Sequence, residues 1–256
     1  MATSLIQMAY NMTDMIWIGR IGSSAVASVG AAGMYMWLSN GLAVLAKMGG
    51  QVNVGHALGA DDKEKAAEYV SNALQLTLVL GIIYGIICIL GARPLIHFFH
   101  LNQAQVIRDA VSYLKITCGL VLFSFLNQTF TGLFTAIGNS RPVFLATTTG
   151  LVVNIILDPL LIFGIGVFPA LRVTGAAIAT VVAQMIVTLM FLIFAAKDTV
   201  LFRYVSYRKK PDMKSMKAIV RIGFPTSVQS MLFTGISMVI ARLVAGYGDA
   251  AVAVQK

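Results

Sequence analysis

Seven apolar stretches, each long enough to cross a lipid bilayer, follow one another along these 256 residues. They run roughly 1–20, 33–59, 69–91, 108–137, 142–165, 174–196 and 217–246. A spanning helix needs about 20 predominantly apolar residues. In lipid every backbone N–H and C=O must be satisfied within the protein, so a run of this length reads as a helix. The composition agrees: 58% of the residues are hydrophobic and 11% are charged, against about a quarter charged in an average soluble domain. A soluble helical protein of this size could not hide so much apolar surface. The chain is expected to be an all-α integral membrane protein.

The links between the runs carry charge or turn chemistry. "GADDKEKAAEY" (59–69) is charged, and "GNSRP" (138–142) is a tight turn. "ARPLIHFFHLNQAQ" (92–105) suggests a loop with a short interfacial helix, and "GIGVFPALRVTG" (164–175) is rich in Gly and Pro. The formal net charge of +9 does not point to nucleic acid, because the basic residues gather in one link. Lys197, Arg203, Arg208, Lys209, Lys210, Lys214, Lys217 and Arg221 fall within one 25-residue stretch where the last two apolar runs join. That is the signature of a cytoplasmic loop, with anionic-lipid contact as a secondary role. Counting back six crossings puts the N-terminus in the cytoplasm as well.

Cys88 and Cys118 lie in separate apolar runs and are expected to be buried free thiols. The histidines make no metal-ligand spacing, and no secretory signal pattern is present. A first span beginning near residue 1, an odd count of runs and an abrupt end are expected of part of a longer chain. "GSSAVASVG" (22–30) after the first span and "GDAAVAVQ" (248–255) after the seventh form a faint repeat, as in transporters built from duplicated halves.

Asp14 and Asp158 are the two acids that fall inside apolar stretches. An ionised Asp at mid-helix costs about 2.5–3.5 kcal/mol on insertion scales. Protonating an Asp of reference pKa about 3.9 at pH 7 costs about 4 kcal/mol, so neither charge state clearly wins. Asn154 and Asp158 are four apart and share one helix face. Pro159 donates no backbone hydrogen bond and leaves the Ile155 carbonyl without its helical partner. Such oxygens suit a small cation and equally suit a proton. The competing readings are a buried helix–helix hydrogen bond for the carboxylate and a plain kink at Pro159. In the first run Gln7, Asn11 and Asp14 share a stripe. Met34, Tyr35, Met36, Trp37 and Phe130 are candidate liners of a central cavity, with packing as the plain alternative.

Several stretches resemble the multidrug and toxic compound extrusion (MATE) transporters, and most of all their prokaryotic DinF-like branch. They are "YNMTDMIWIGRIGSSAVASVG" (10–30), "GHALGADD" (55–62), "GLFTAIGNSRP" (132–142), "NIILDPLLIFGIG" (154–166) and "VTGAAIATVVAQ" (173–184). The resemblance implies two six-helix lobes joined by a cytoplasmic loop. This chain would hold the N-terminal lobe (1–196), that loop (197–216) and the first helix of the second lobe (217–256). It implies export of organic cations in exchange for Na+ or H+, with no other cofactor, by a multi-pass protein of the plasma membrane that is a monomer when complete. Matched to the family's cation site are Asp14, Asn154, Asp158, Ala176 and Thr180, and to its substrate cavity Gln7. By spacing alone Thr180 reads equally well as a membrane-helix threonine bonded to its own backbone. The rivals are a lipid-linked precursor flippase, which would want a cationic cavity built on Lys47, Lys115 or Arg242, and a membrane-embedded enzyme using two aspartates.

Overall fold

The computed structural model describes residues 15–165, 169–199, 201–205 and 211–245. Gln7, Asn11, Asp14 and the 248–255 arm of the faint repeat lie outside the described residues. Residues 15–19 are helical and end at a turn closed by Gly22, whose φ of 134° lies in the region that glycine adopts freely.

Helix α1 (Ser23–Gly59) follows at once. It absorbs the 22–30 stretch expected as a link and the start expected at residue 33. Nothing in "SSAVASVGAAG" breaks a helix, and its small side chains let neighbours approach closely. Ser28, fully buried, ties this part to the next layer by donating to the Val106 carbonyl at 3.1 Å. Helix α2 (Lys63–Leu90) begins within the charged link and not at 69. The Asp62 side chain accepts from the Lys65 N–H at 2.9 Å, and Lys65 pairs with Glu68 at 2.9 Å, so the charges build the first turns. The short helix α3 (Ala92–His97) forms within the 92–105 link, where a short helix was expected.

The expected 108–137 span is two helices, α4 (Ala104–Thr117) and α5 (Leu122–Ala136), bent by 48°. Gly119 sits at the bend, where a Cβ would lie 2.1 Å from the Lys115 carbonyl oxygen. Helix α6 (Arg141–Phe163) starts on Pro142, continues through Pro159 and stops at Gly164, whose φ is 71°. Helix α7 (Arg172–Lys197) and helix α8 (Met213–Ala245) complete the bundle. Helix α8 starts before the expected 217 because Asp212 caps it, accepting from the Ser215 N–H at 2.8 Å. Those hydrogen bonds hold the Asp212 carboxyl below the usual carboxylate range.

Five of these helices, plus the bent α4–α5 pair, are long and apolar enough to cross a membrane. Their outward faces carry large apolar side chains such as Ile83, Ile87, Leu189, Phe233 and Ile236. This is a multi-pass membrane protein, all α among the described residues. Helix α1 is central and packs against α2, α4, α5 and α8, while α6 packs chiefly on α7. Helix α8 runs antiparallel to α1 in close contact. A Cβ on Gly223 would meet the Leu45 carbonyl oxygen at 2.0 Å, and one on Gly49 the Ile219 carbonyl oxygen at 2.1 Å. At one end the Asp212 N–H donates to Asn72 and the Ser215 hydroxyl to Glu68. At the other, Arg242 donates to His100 Nε2 at 2.8 Å and lies over the Phe98 ring.

Two apolar clusters sit at opposite ends of the bundle. One joins Ala27, Tyr35, Phe99, Leu114, Ile162 and Ala176; the other joins Val54, Phe130, Leu133, Phe134, Phe191 and Phe202. Between the clusters α1 carries Asn40 and Lys47 and α5 carries Gln128. Also between them, at their own depth, α6 carries Asn154 and Asp158 and α7 carries Thr180 and Gln184.

Candidate ion site on the facing surfaces of α6 and α7

Close packing of α6 on α7 builds the acidic site. Two glycines set the register: Gly175 of α7 lies against the Leu161 carbonyl, and Gly150 of α6 lies against Val187. Between these contacts the antiparallel pair brings Thr180 level with the turn that carries Asn154 and Asp158. Asn154 and Asp158 are both 0% exposed, and the Asn154 amide donates to Asp158 Oδ1 at 3.1 Å. The shared helix face expected from their spacing is therefore realised, and it turns inward.

Thr180 is buried, and its hydroxyl has no hydrogen-bond partner among the described residues. A threonine serving only its own helix would donate back along the backbone, as Thr188 does to the Gln184 carbonyl at 2.9 Å. Thr180 does not, so the back-bonded alternative is set aside. Asn154 Oδ1 likewise has no partner among the described residues. Buried polar atoms are almost always paired, and two unmet oxygens beside a carboxylate are the donors a hard cation takes. Ala176, fully buried one turn from Thr180, belongs to the apolar cluster and supplies room and not a side-chain ligand. Pro159 keeps its N from bonding to the Ile155 carbonyl, yet the helix continues to Phe163.

The first run meets this site at its edge. Trp17 packs edge-on against Phe163 with ring centroids 6.1 Å apart, and Ile18 shares the apolar cluster with Ile162. The visible end of the first run therefore lies beside the end of α6 that carries Asp158.

Two of the candidate cavity liners are packed instead. Phe130 is 2% exposed and stacks on Phe191 at 5.7 Å, inside the Phe134–Phe202 cluster. Met34 is buried in the other cluster, and Trp37 is 45% exposed. Periodicity could not separate these residues, because both faces of a central membrane helix are apolar. The sequence reading missed the polar neighbours on α5, where Asn127 donates to the Gln184 carbonyl at 3.0 Å and accepts from Thr188 at 2.8 Å. Their signal was there in the density of Asn, Gln and Thr within 124–135.

The MatE family model matches residues 1–160. The chain belongs to the MatE family. Among curated relatives, it is 28% identical to a probable multidrug resistance protein NorM of Thermotoga maritima over 242 residues, covering 93% of this chain and 51% of that protein. It is also 28% identical to the multidrug export protein MepA of Staphylococcus saprophyticus, covering 99% of this chain and 55% of that one. The chain thus spans about half the length of the curated relatives it matches. A solved inward-facing multidrug resistance MATE transporter superimposes with a TM-score of 0.89 at 24% identity, over 97% of this chain and 56% of that one, which shows the MatE fold. The matches are to a family of transporters and not of enzymes.

Proposed function

We propose that the complete protein is a secondary antiporter that exports organic cations in exchange for Na+ or H+. The observation that carries this reading is the buried Asn154–Asp158 pair at membrane depth, level with the unpartnered Thr180 hydroxyl. Asp158 supplies the charge that binds the coupling ion. Asn154 Oδ1 and Thr180 Oγ1 supply neutral oxygens if the ion is Na+, and Asp158 takes the proton if it is H+. Ion binding neutralises the carboxylate and weakens its hold on a cationic substrate, which then leaves on the outside. Loss of the ion restores the charge and allows substrate to rebind from the cytoplasm. Exchange follows because a ligand shifts a conformational equilibrium only by its difference in affinity between states.

Asp14 is the second carboxylate in this reading. It lies outside the described residues, and the resemblance to the family supports its role here. Residues 1–196 form the first lobe, 197–216 the cytoplasmic link and 217–256 the start of the second lobe. The protein works as a monomer in the plasma membrane, surrounded by lipid and without nucleic acid. The resemblance to the DinF-like branch and the charge of the 197–216 link support this arrangement.

The test is Asp158→Asn in the complete protein. It inserts normally and loses ethidium export driven by a Na+ or proton gradient in proteoliposomes. Undiminished gradient-driven export by that variant overturns the reading.

A further inference from the structure

On α1, against the stretch of α5 that enters the Phe130–Phe134 cluster, stands a charge of the opposite sign. Lys47 of α1 donates to Gln128 Oε1 of α5 at 3.2 Å, and Gln128 Nε2 donates to Asn40 Oδ1 of α1 at 3.1 Å. The amide relay runs in one direction and aims the Gln128 oxygen at the ammonium. Among the described residues no carboxylate lies within 4.0 Å of Lys47 Nζ. An ammonium carries three donors, and here one is met by a described side chain, a neutral oxygen. A lysine at membrane depth is expensive, and such residues mark ligand paths.

The setting is open and polar. Lys47, Gln128 and Asn40 are each half-buried, unlike the sealed acid pair. They lie on two adjoining stripes, Asn40, Lys47 and Gln51 on α1 and Ser124, Gln128 and Thr131 on α5, all of them partly exposed. Gly132 lets the stripes meet: a Cβ there would come within 2.9 Å of the Lys47 carbonyl oxygen and 3.0 Å of its Cγ. The result is a partly exposed strip of neutral hydrogen-bonding groups with one cation and no described counter-anion.

We infer that Lys47, positioned by Gln128 and Asn40, is a subsite for an anionic group, a carboxylate or a phosphate, on the transported molecule. The inference rests on the transport reading above and narrows its substrate class. A molecule with an anionic group beside a cationic or aromatic body fits a bundle whose acid and base stand on different helix pairs. The lysine supplies the opposite charge and its two remaining donors, and the amides and hydroxyls of the two stripes orient the rest.

The test is equilibrium binding to the purified complete protein with two matched fluorescent pairs. One pair is a rhodamine with a free carboxylate and its methyl ester; the other is riboflavin phosphate and riboflavin. The wild type prefers the anionic member of at least one pair, and that pair names the anion. Lys47→Met, which keeps the stem and removes the charge, reduces the preference about tenfold or more, the value of one charge-assisted hydrogen bond. Lys47→Arg retains it, and Gln128→Leu reduces it in part, so the result does not depend on one variant folding. Equal binding of both members of both pairs by the wild type, or an unchanged preference in Lys47→Met, makes Lys47 a strut between helices and overturns the inference. Gradient-driven ethidium export, measured alongside, separates the two readings. Export without a Lys47-dependent preference overturns the subsite alone, and the preference without export overturns the antiport reading alone.

Discussion

The α6–α7 pair and the α1–α5 pair hold charges of opposite sign inside the bundle, yet they are built differently. Asp158 is sealed between two helices that glycines at 150 and 175 bring into close contact. Lys47 lies across a glycine at 132 and stays half open. The short acidic side chain is reached through an amide four residues away on its own helix, whereas the long basic one is held by an amide on a neighbouring helix. A sealed carboxylate suits a small ion that needs few ligands and releases only when the helices move. A half-open ammonium suits a larger partner that approaches along the exposed stripes. Burial, more than charge, separates the two roles.

The largest test of that contrast is on the sealed side. Asp158→Asn abolishes gradient-driven export, while the Lys47 variants change which molecule is preferred. If Asp158→Asn altered only substrate preference, the two sites would have exchanged roles. Next comes the scaffold that fixes the open side. Gly223→Ala drives a methyl into the Leu45 carbonyl and costs about 1–3 kcal/mol by overpacking, read as lowered thermal stability in detergent. Gly55 has nothing within 4 Å of its would-be Cβ, so Gly55→Ala gains about 0.5–1 kcal/mol from helix propensity. Equal effects at both positions would show that the α1–α8 contact does not fix α1.

Thr180→Val sharpens the reading of the sealed site. Removing a buried unpaired hydroxyl relieves a cost of about 1–3 kcal/mol, so stability holds or rises while coupling-ion affinity falls about tenfold. A loss of stability would restore a structural hydrogen bond for Thr180. The smallest effect is at the start of α8. The folded Asp212 carboxyl lies below its ordinary range because it accepts the Ser215 N–H. Its contribution is therefore present above the ordinary carboxylate pKa and is lost as pH falls through the lowered one. Amide exchange in the first turn of α8 should quicken over that acidic window and not between pH 6 and 8.

The sequence read the spanning helices and the acid pair well, and their ends poorly. Apolar length is set by bilayer thickness and is visible residue by residue, so the runs near 69–91, 142–165 and 174–196 correspond to α2, α6 and α7. Helix ends depend on caps and on what they touch. "ADDKEK" and "PDMKS" looked like links but form helix starts, because Asp62 and Asp212 satisfy free N–H groups there. The bend at Gly119 was invisible, since a lone glycine in an apolar run is compatible with a straight helix.

By itself, the sequence determined that this chain lies in lipid as helices, that Asn154 and Asp158 share a face, and which family it resembles. Lipid offers no water to satisfy stray polar groups, so apolar length and misplaced charge speak for themselves. Only the tertiary structure decided which face turns inward, that the Thr180 hydroxyl finds no partner among the described residues, that Phe130 and Met34 are packing, and that Lys47 meets Gln128 across two helices. Those facts depend on interhelical register, which is set by where glycines let backbones approach and which no single helix encodes.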